Sequence, residues 1–151
     1  MMLTDLLLAA LHHLLVFALV AMLVSQAVLL RGALDAPTLR RLSRLDAGYG
    51  ACAVMLLIAG LLRIGFGIKG HDFYLHNPWF HAKIGAYVLV GLLSILPTLN
   101  FARWRKAVRA DPAFLPAPAQ VARARGIIRF ELVLIGAIFV LAAAMARYGG
   151  F

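Results

Sequence analysis

Two short stretches carry the residues best equipped for chemistry: Leu11-His12-His13-Leu14 and Asn77-Pro78-Trp79-Phe80-His81-Ala82-Lys83. Each sets ionisable side chains inside or beside a long apolar run. Such groups are costly within a membrane, so they face a bundle interior or a cavity and serve a role there. Neutral histidine in that setting is a natural ligand for haem iron or another transition metal. Lysine or arginine at the same level neutralises an acidic ligand group. The helical wheel restricts the set: His12 and His13 are about 100° apart and His81 and Lys83 about 200°, so neither pair converges on one atom. Lys83 shares a face with Tyr87, and His13 with Phe17. A buried histidine serves equally well as a hydrogen-bonding group between helices, and Lys83 can snorkel to the head groups. Both readings stand at this stage.

The frame around these groups is apolar. The chain of 151 residues is 64% hydrophobic and 14% charged, whereas soluble domains are about half apolar and a quarter charged. This length suits one domain, residues 1–151, with four spans and short connections. The fold expected is all-α, an integral membrane four-helix bundle with spans at about 4–30, 46–64, 78–104 and 122–147. The first apolar run is far longer than a signal-peptide core and has no basic segment before it, so it reads as a retained span. Thr4-Asp5 can cap it. Leu39, Leu42 and Leu45, with Arg40, Arg41 and Arg44 on other faces, suit a short amphipathic helix at the head groups before the second span. Asn77 can cap the third helix with Pro78 in its first turn. Pro97 should kink that helix and leave a carbonyl unpartnered, with Ser94 near enough to help. Residues 105–123 read as a basic, partly extended loop, and Arg103-Trp104-Arg105-Lys106 as an interfacial anchor.

The balance of fifteen Lys and Arg against six Asp and Glu would suggest nucleic acid in a soluble protein. Here the positive charge gathers between apolar runs. Arg31, Arg40, Arg41 and Arg44 lie in one connection; Arg103, Arg105, Lys106, Arg109, Arg123 and Arg125 lie in another. The segment between the second and third spans holds Lys69, with Arg63 at its edge. By the positive-inside rule, loops 31–45 and 105–121 are cytoplasmic and loop 65–77 is periplasmic, giving N-out/C-out topology in a bacterial inner membrane. The partner implied is the lipid bilayer, not nucleic acid.

This topology brings the polar groups to one level. His12 and His13 fall roughly 12 Å below the outer interface, and His81 and Lys83 about 5–8 Å below it. Arg63 ends the second span on that side, with His71, Tyr74 and His76 just above. Glu131, near the other side, is expected to form an ion pair with Arg125 or Arg129, with Asp46 and Asn100 at its level. The lone Cys52 makes no internal disulfide and reads as a small buried apolar residue. No Gly-x-Ser-x-Gly, Ser/His/Asp set or phosphate-binding glycine loop is present, so hydrolytic chemistry has no support.

The span order, the early His12-His13, the Trp79-Phe80-His81-Ala82-Lys83 opening of the third span and the basic Arg103-Trp104-Arg105-Lys106 exit together resemble bacterial predicted-membrane-protein families of unknown function (domain of unknown function 2214). The same features are distantly similar to the HemJ-type protoporphyrinogen oxidases. That similarity implies haem b as cofactor, His12 or His13 as the axial iron ligand, and Lys83 as the second essential, catalytic position. The doubled histidine leaves the register open, and Arg129-Phe130-Glu131 stands where that family has an acidic-proline signature. The expected site thus comprises His12, His13, Arg63, His81, Lys83 and Tyr87, holding haem in a redox role with a porphyrin or quinol as small-molecule partner. The alternative is a membrane assembly or interaction subunit without cofactor, its polar groups joining helices, a homo-oligomer included. Transport would need a polar path, against which the apolar lower halves of the first three spans argue.

Overall fold

The computed structural model describes residues 2–66 and 74–148. Lys69 and His71 lie outside these residues. Four helices account for the described chain: α1 (Met2–Leu29), α2 (Ala36–Phe66), α3 (Pro78–Ala110) and α4 (Pro118–Tyr148). All four are long and apolar enough to cross a membrane. At 1.5 Å per residue even the shortest exceeds a hydrocarbon core of about 30 Å. Their outward faces stay apolar. Leu14, Phe17, Val54, Leu92 and Val133 are all well exposed, which suits lipid and would not suit water.

The boundaries follow local chemistry. Asn77 caps α3, its side chain accepting from the Trp79 N–H at 3.0 Å with Pro78 in the first turn. Asp35 does the same for α2, accepting from the Thr38 N–H at 2.9 Å. Thr4-Asp5 does not cap α1, because that helix already begins at Met2. The amphipathic stretch around Leu39–Leu45 is no separate helix. It is the first part of α2, which runs unbroken because nothing between Pro37 and Gly48 stops it, and Leu39 and Leu42 are fully buried. α3 likewise continues past Trp104 to Ala110. It ends at Asp111, which precedes Pro112 and takes an extended conformation that suits that position. Pro97 stays within a continuous α3, and the Ser94 hydroxyl donates to Gly91 O at 2.8 Å rather than to the carbonyl Pro97 leaves free.

The helices pack in cyclic order, α1 on α2, α2 on α3, α3 on α4 and α4 on α1, the last pair meeting least. Among the described residues the diagonal pairs do not approach one another. The connections 30–35 and 111–117 lie at one end, called the basic end here. Arg125 at the start of α4 donates to Leu30 O at the end of α1. Packing is tightest in this half, where Leu23, Leu30, Leu39, Leu42, Phe101, Val108 and Ile128 are all essentially inaccessible. Trp104 belongs to this core and is not an interfacial anchor. It is 2% exposed, and its indole N–H donates to Gln120 Oε1 at 3.2 Å, joining α3 to α4.

Candidate functional site

The opposite half of the bundle is hollow. With the diagonal helices apart, side chains from all four helices surround a cavity of about 210 Å³. His12 and His13 reach it from α1, Tyr49 and Ala53 from α2, Lys83 and Tyr87 from α3, and Ile135 and Phe139 from α4. Two of its wall positions, Gly50 and Gly91, have no side chain, and a Cβ at either would meet nothing within 4 Å. The space therefore arises from sequence: glycine on α2 and on α3 where a larger residue would fill it.

The two histidines differ in a way the sequence does not show. His13 Nδ1 lies 2.6 Å from the carbonyl oxygen of Ala9 one turn earlier. A carbonyl oxygen only accepts, so Nδ1 carries the proton and Nε2 of the neutral ring keeps its lone pair. This is the arrangement that orients metal-ligating histidines, one nitrogen tied to a carbonyl and the other left basic. His12 packs instead toward α2, where its Cε1 would lie 3.9 Å from a Cβ placed on Gly60. Its Nδ1 is buried without a partner. The two rings meet edge to face at 6.0 Å.

Lys83 lines the cavity, and Arg63 stands behind it, half-buried with an unpartnered Nε. Both cations lie within electrostatic reach of His12, and of each other. Like charges brought together without an acid are unfavourable, and an anionic group entering the cavity relieves that repulsion. Tyr87 donates its hydroxyl to Ala53 O, joining α3 to α2 at the cavity wall.

Of the six residues expected at the site, His12, His13, Lys83 and Tyr87 line the cavity together. Arg63 approaches it, and His81 does not. The His81 ring turns back to the α2–α3 connection, with Nε2 2.8 Å from Leu75 O, and its surface is exposed. Tyr74 is buried against Phe80, with ring centroids 5.5 Å apart. Sequence reasoning missed Tyr49, which is buried and forms the cavity floor. Its spacing from Asp46 and from Ala53 and Leu56 on one face of α2 is the signal that could have found it. No group of three or more His, Cys, Asp or Glu residues able to hold a metal ion occurs among the described residues.

These features define a class: a four-helix membrane bundle, tightly packed at its basic end, with a mostly apolar cavity that carries two histidines and a lysine at the other. The chain belongs to the family described as Predicted membrane protein (DUF2214), whose match covers residues 4–150. No curated protein and no solved structure matches it.

Proposed function

We propose that this membrane protein binds haem b in its four-helix cavity and serves a redox reaction, as the similarity to HemJ-type oxidases implies. The observation that carries the reading is the His13–Ala9 hydrogen bond, which leaves a basic Nε2 on a ring lining the cavity. His13, rather than His12, is then the iron ligand. Lys83 and Arg63 supply positive charge for the propionates, and the apolar walls from α1, α2 and α4 suit the ring. Haem would contribute one-electron chemistry; the protein would contribute the axial ligand, burial and local positive charge that tune it. The porphyrinogen or quinol that exchanges electrons with it is the small-molecule partner.

A second reading rests on volume. Small-molecule sites usually enclose about 300–1,000 Å³, and this cavity encloses about 210 Å³. A quinol head group, one substituted six-membered ring, fits that space without rearrangement, with Lys83 and Tyr87 as its polar contacts. A tetrapyrrole requires α1 and α4 to separate.

The orientation proposed is N-out and C-out in a bacterial inner membrane. It is supported by the many arginines in and around both short connections lying at the same end, against Arg63, Lys83 and Arg147 toward the other. The cavity then opens in the periplasmic half of the bilayer.

The absorbance spectrum of the purified protein, before and after haem addition, tests the proposal. A Soret band lost in His13→Ala and kept in His12→Ala is expected. A protein that stays colourless after haem addition overturns the haem reading. A ubiquinone analogue that then binds, and whose binding falls in Lys83→Ala, supports the quinol reading. Failure of both ligands leaves a helix-assembly subunit.

A further inference from the structure

A second polar cluster lies behind the cavity, in the tightly packed half. Glu131 on α4 and Asp46 on α2 are 1% and 7% exposed, among the most deeply buried residues of the bundle. Neither forms an ion pair among the described residues. The arginines expected to neutralise Glu131 do not reach it: Arg129 is exposed, and Arg125 donates to Leu30 O. Asp46 accepts a single side-chain hydrogen bond, from Thr98 Oγ1 at 3.1 Å. Glu131 Oε1 has no partner at all. Gln26 of α1 is equally buried, and its Nε2 is also unpartnered. It sits at the same level, since Met22 packs on Gly48 one turn to one side and Leu30 meets Arg125 one turn to the other. The two carboxyl groups lie within electrostatic range of each other, and Tyr49 lies within range of both.

Two unpaired carboxylates in an apolar interior are strongly unfavourable, and two that share a site do not both ionise. Something positive must accompany the pair. No guanidinium or ammonium does so. Metal ions of the hard type want six or more oxygens. The oxygens available are those of Asp46, Glu131 and the Gln26 amide, while the Thr98 hydroxyl already points its hydrogen at Asp46. A proton needs only one of these oxygens. The groups near this level on the packed elements are Gln26 from α1, Tyr49 from α2, Thr98 from α3 and Arg125 from α4. Arg125 is the one cation among them, and its guanidinium donates to Leu30 O rather than to either carboxyl.

We propose that Glu131, with Asp46 as its acidic neighbour, forms a buried proton-binding site that holds a proton at neutral pH, next to the Tyr49 wall of the cavity. This site is separate from the groups assigned to haem or quinol. It places a proton donor and acceptor within the bilayer beside a cavity in which reduction or oxidation would change charge. The lower half of the bundle therefore holds an acid where the sequence predicted an ion pair.

Infrared spectroscopy of the full-length protein in lipid nanodiscs, without any cavity ligand, tests the proposal. The wild type should show the carbonyl stretch of a protonated carboxylic acid at neutral pH, shifted in D₂O. Glu131→Gln should abolish it, and Asp46→Asn, which removes the neighbouring acid, should weaken it. Glu131→Asp, which keeps the acid, should retain the band and serves if the amide variants fail to fold. Absence of the band from folded wild type overturns the proposal, as does a band unaffected by either amide variant. A band that appears only when sodium is withdrawn also overturns it, in favour of a cation site. Because no haem or quinol is present, the outcome is independent of the cavity ligand.

Discussion

A Cβ built on Gly48 of α2 would lie 2.8 Å from Sδ of Met22 on α1, so the Met22 thioether occupies the space a side chain at position 48 would take. Small residues at such crossings let backbones approach and maximise van der Waals contact, which is the chief source of helix association in lipid. The obstructing atoms are the far end of a flexible thioether, so the size of the added group decides the response. Gly48→Ala should cost less than about 1 kcal/mol as Met22 swings aside, while Gly48→Leu should cost about 1–3 kcal/mol by overpacking. Reversible unfolding in mixed micelles measures both, and Met22→Ala in the Gly48→Leu background should recover part of the loss.

The hollow half responds in the opposite sense. Gly91→Leu places a branched chain on the cavity wall where a Cβ meets nothing within 4 Å. Cavity filling commonly adds about 0.5–2 kcal/mol of stability. The same variant should bind haem, or the quinone analogue, at least about tenfold more weakly, a difference of about 1.4 kcal/mol. Titration followed by absorbance or fluorescence reads the second effect, and thermal unfolding reads the first. A variant that is stabilised and binds normally would show that the ligand enters elsewhere.

Trp104 separates packing from polarity in the basic half. Trp104→Phe keeps most of the ring contact with Phe101, 5.5 Å away between centroids, but removes the donor to Gln120. A loss of about 0.5–1.5 kcal/mol is expected. Trp104→Ala removes the ring as well and should cost about 3–5 kcal/mol. Equal losses in the two variants would mean that the hydrogen bond, not the ring, holds α3 to α4.

The cap of α2 gives a pH dependence with a definite sign. The hydroxyl and then the backbone N–H of Thr38 hold the Asp35 carboxyl below the usual carboxylate range. A depressed folded-state value means the stabilisation is present above the unfolded value and is lost as pH falls through the folded one. The first turn of α2 should therefore fray on acidification below about pH 4. Amide exchange of Thr38 and Leu39 reports this. In Asp35→Asn the cap persists and the acid dependence disappears.

The helices were legible in the sequence because apolar length and the Asn77-Pro78 cap are local properties. The arginine-rich segments were legible too, although α2 and α3 absorb much of what reads as connection. Levels within the bundle followed from counting residues, which is why His12, His13, Lys83 and Tyr87 gather as expected. Direction did not follow. Whether His81 turns inward depends on the Leu75 carbonyl placed by a connection, and whether Arg125 meets Glu131 depends on a competing acceptor, Leu30 O, on another helix. The distinction between His12 and His13 also escaped the wheel, since it rests on a side-chain torsion that brings one ring back to the Ala9 carbonyl. Tyr49 was overlooked for a related reason: one hydroxyl in an apolar run carries no periodic signal.

The uneven closure of the ring bears on how the bilayer itself acts on the protein. α1 and α4 are tied by Arg125 and Leu30 at the basic end, yet they form the loosest of the four seams, and the cavity sits at the other end. Were these helices to part, the Arg125–Leu30 tie would be the pivot and the opening would face the acyl chains, so that ordered, tightly packed lipids would oppose it and fluid ones would favour it.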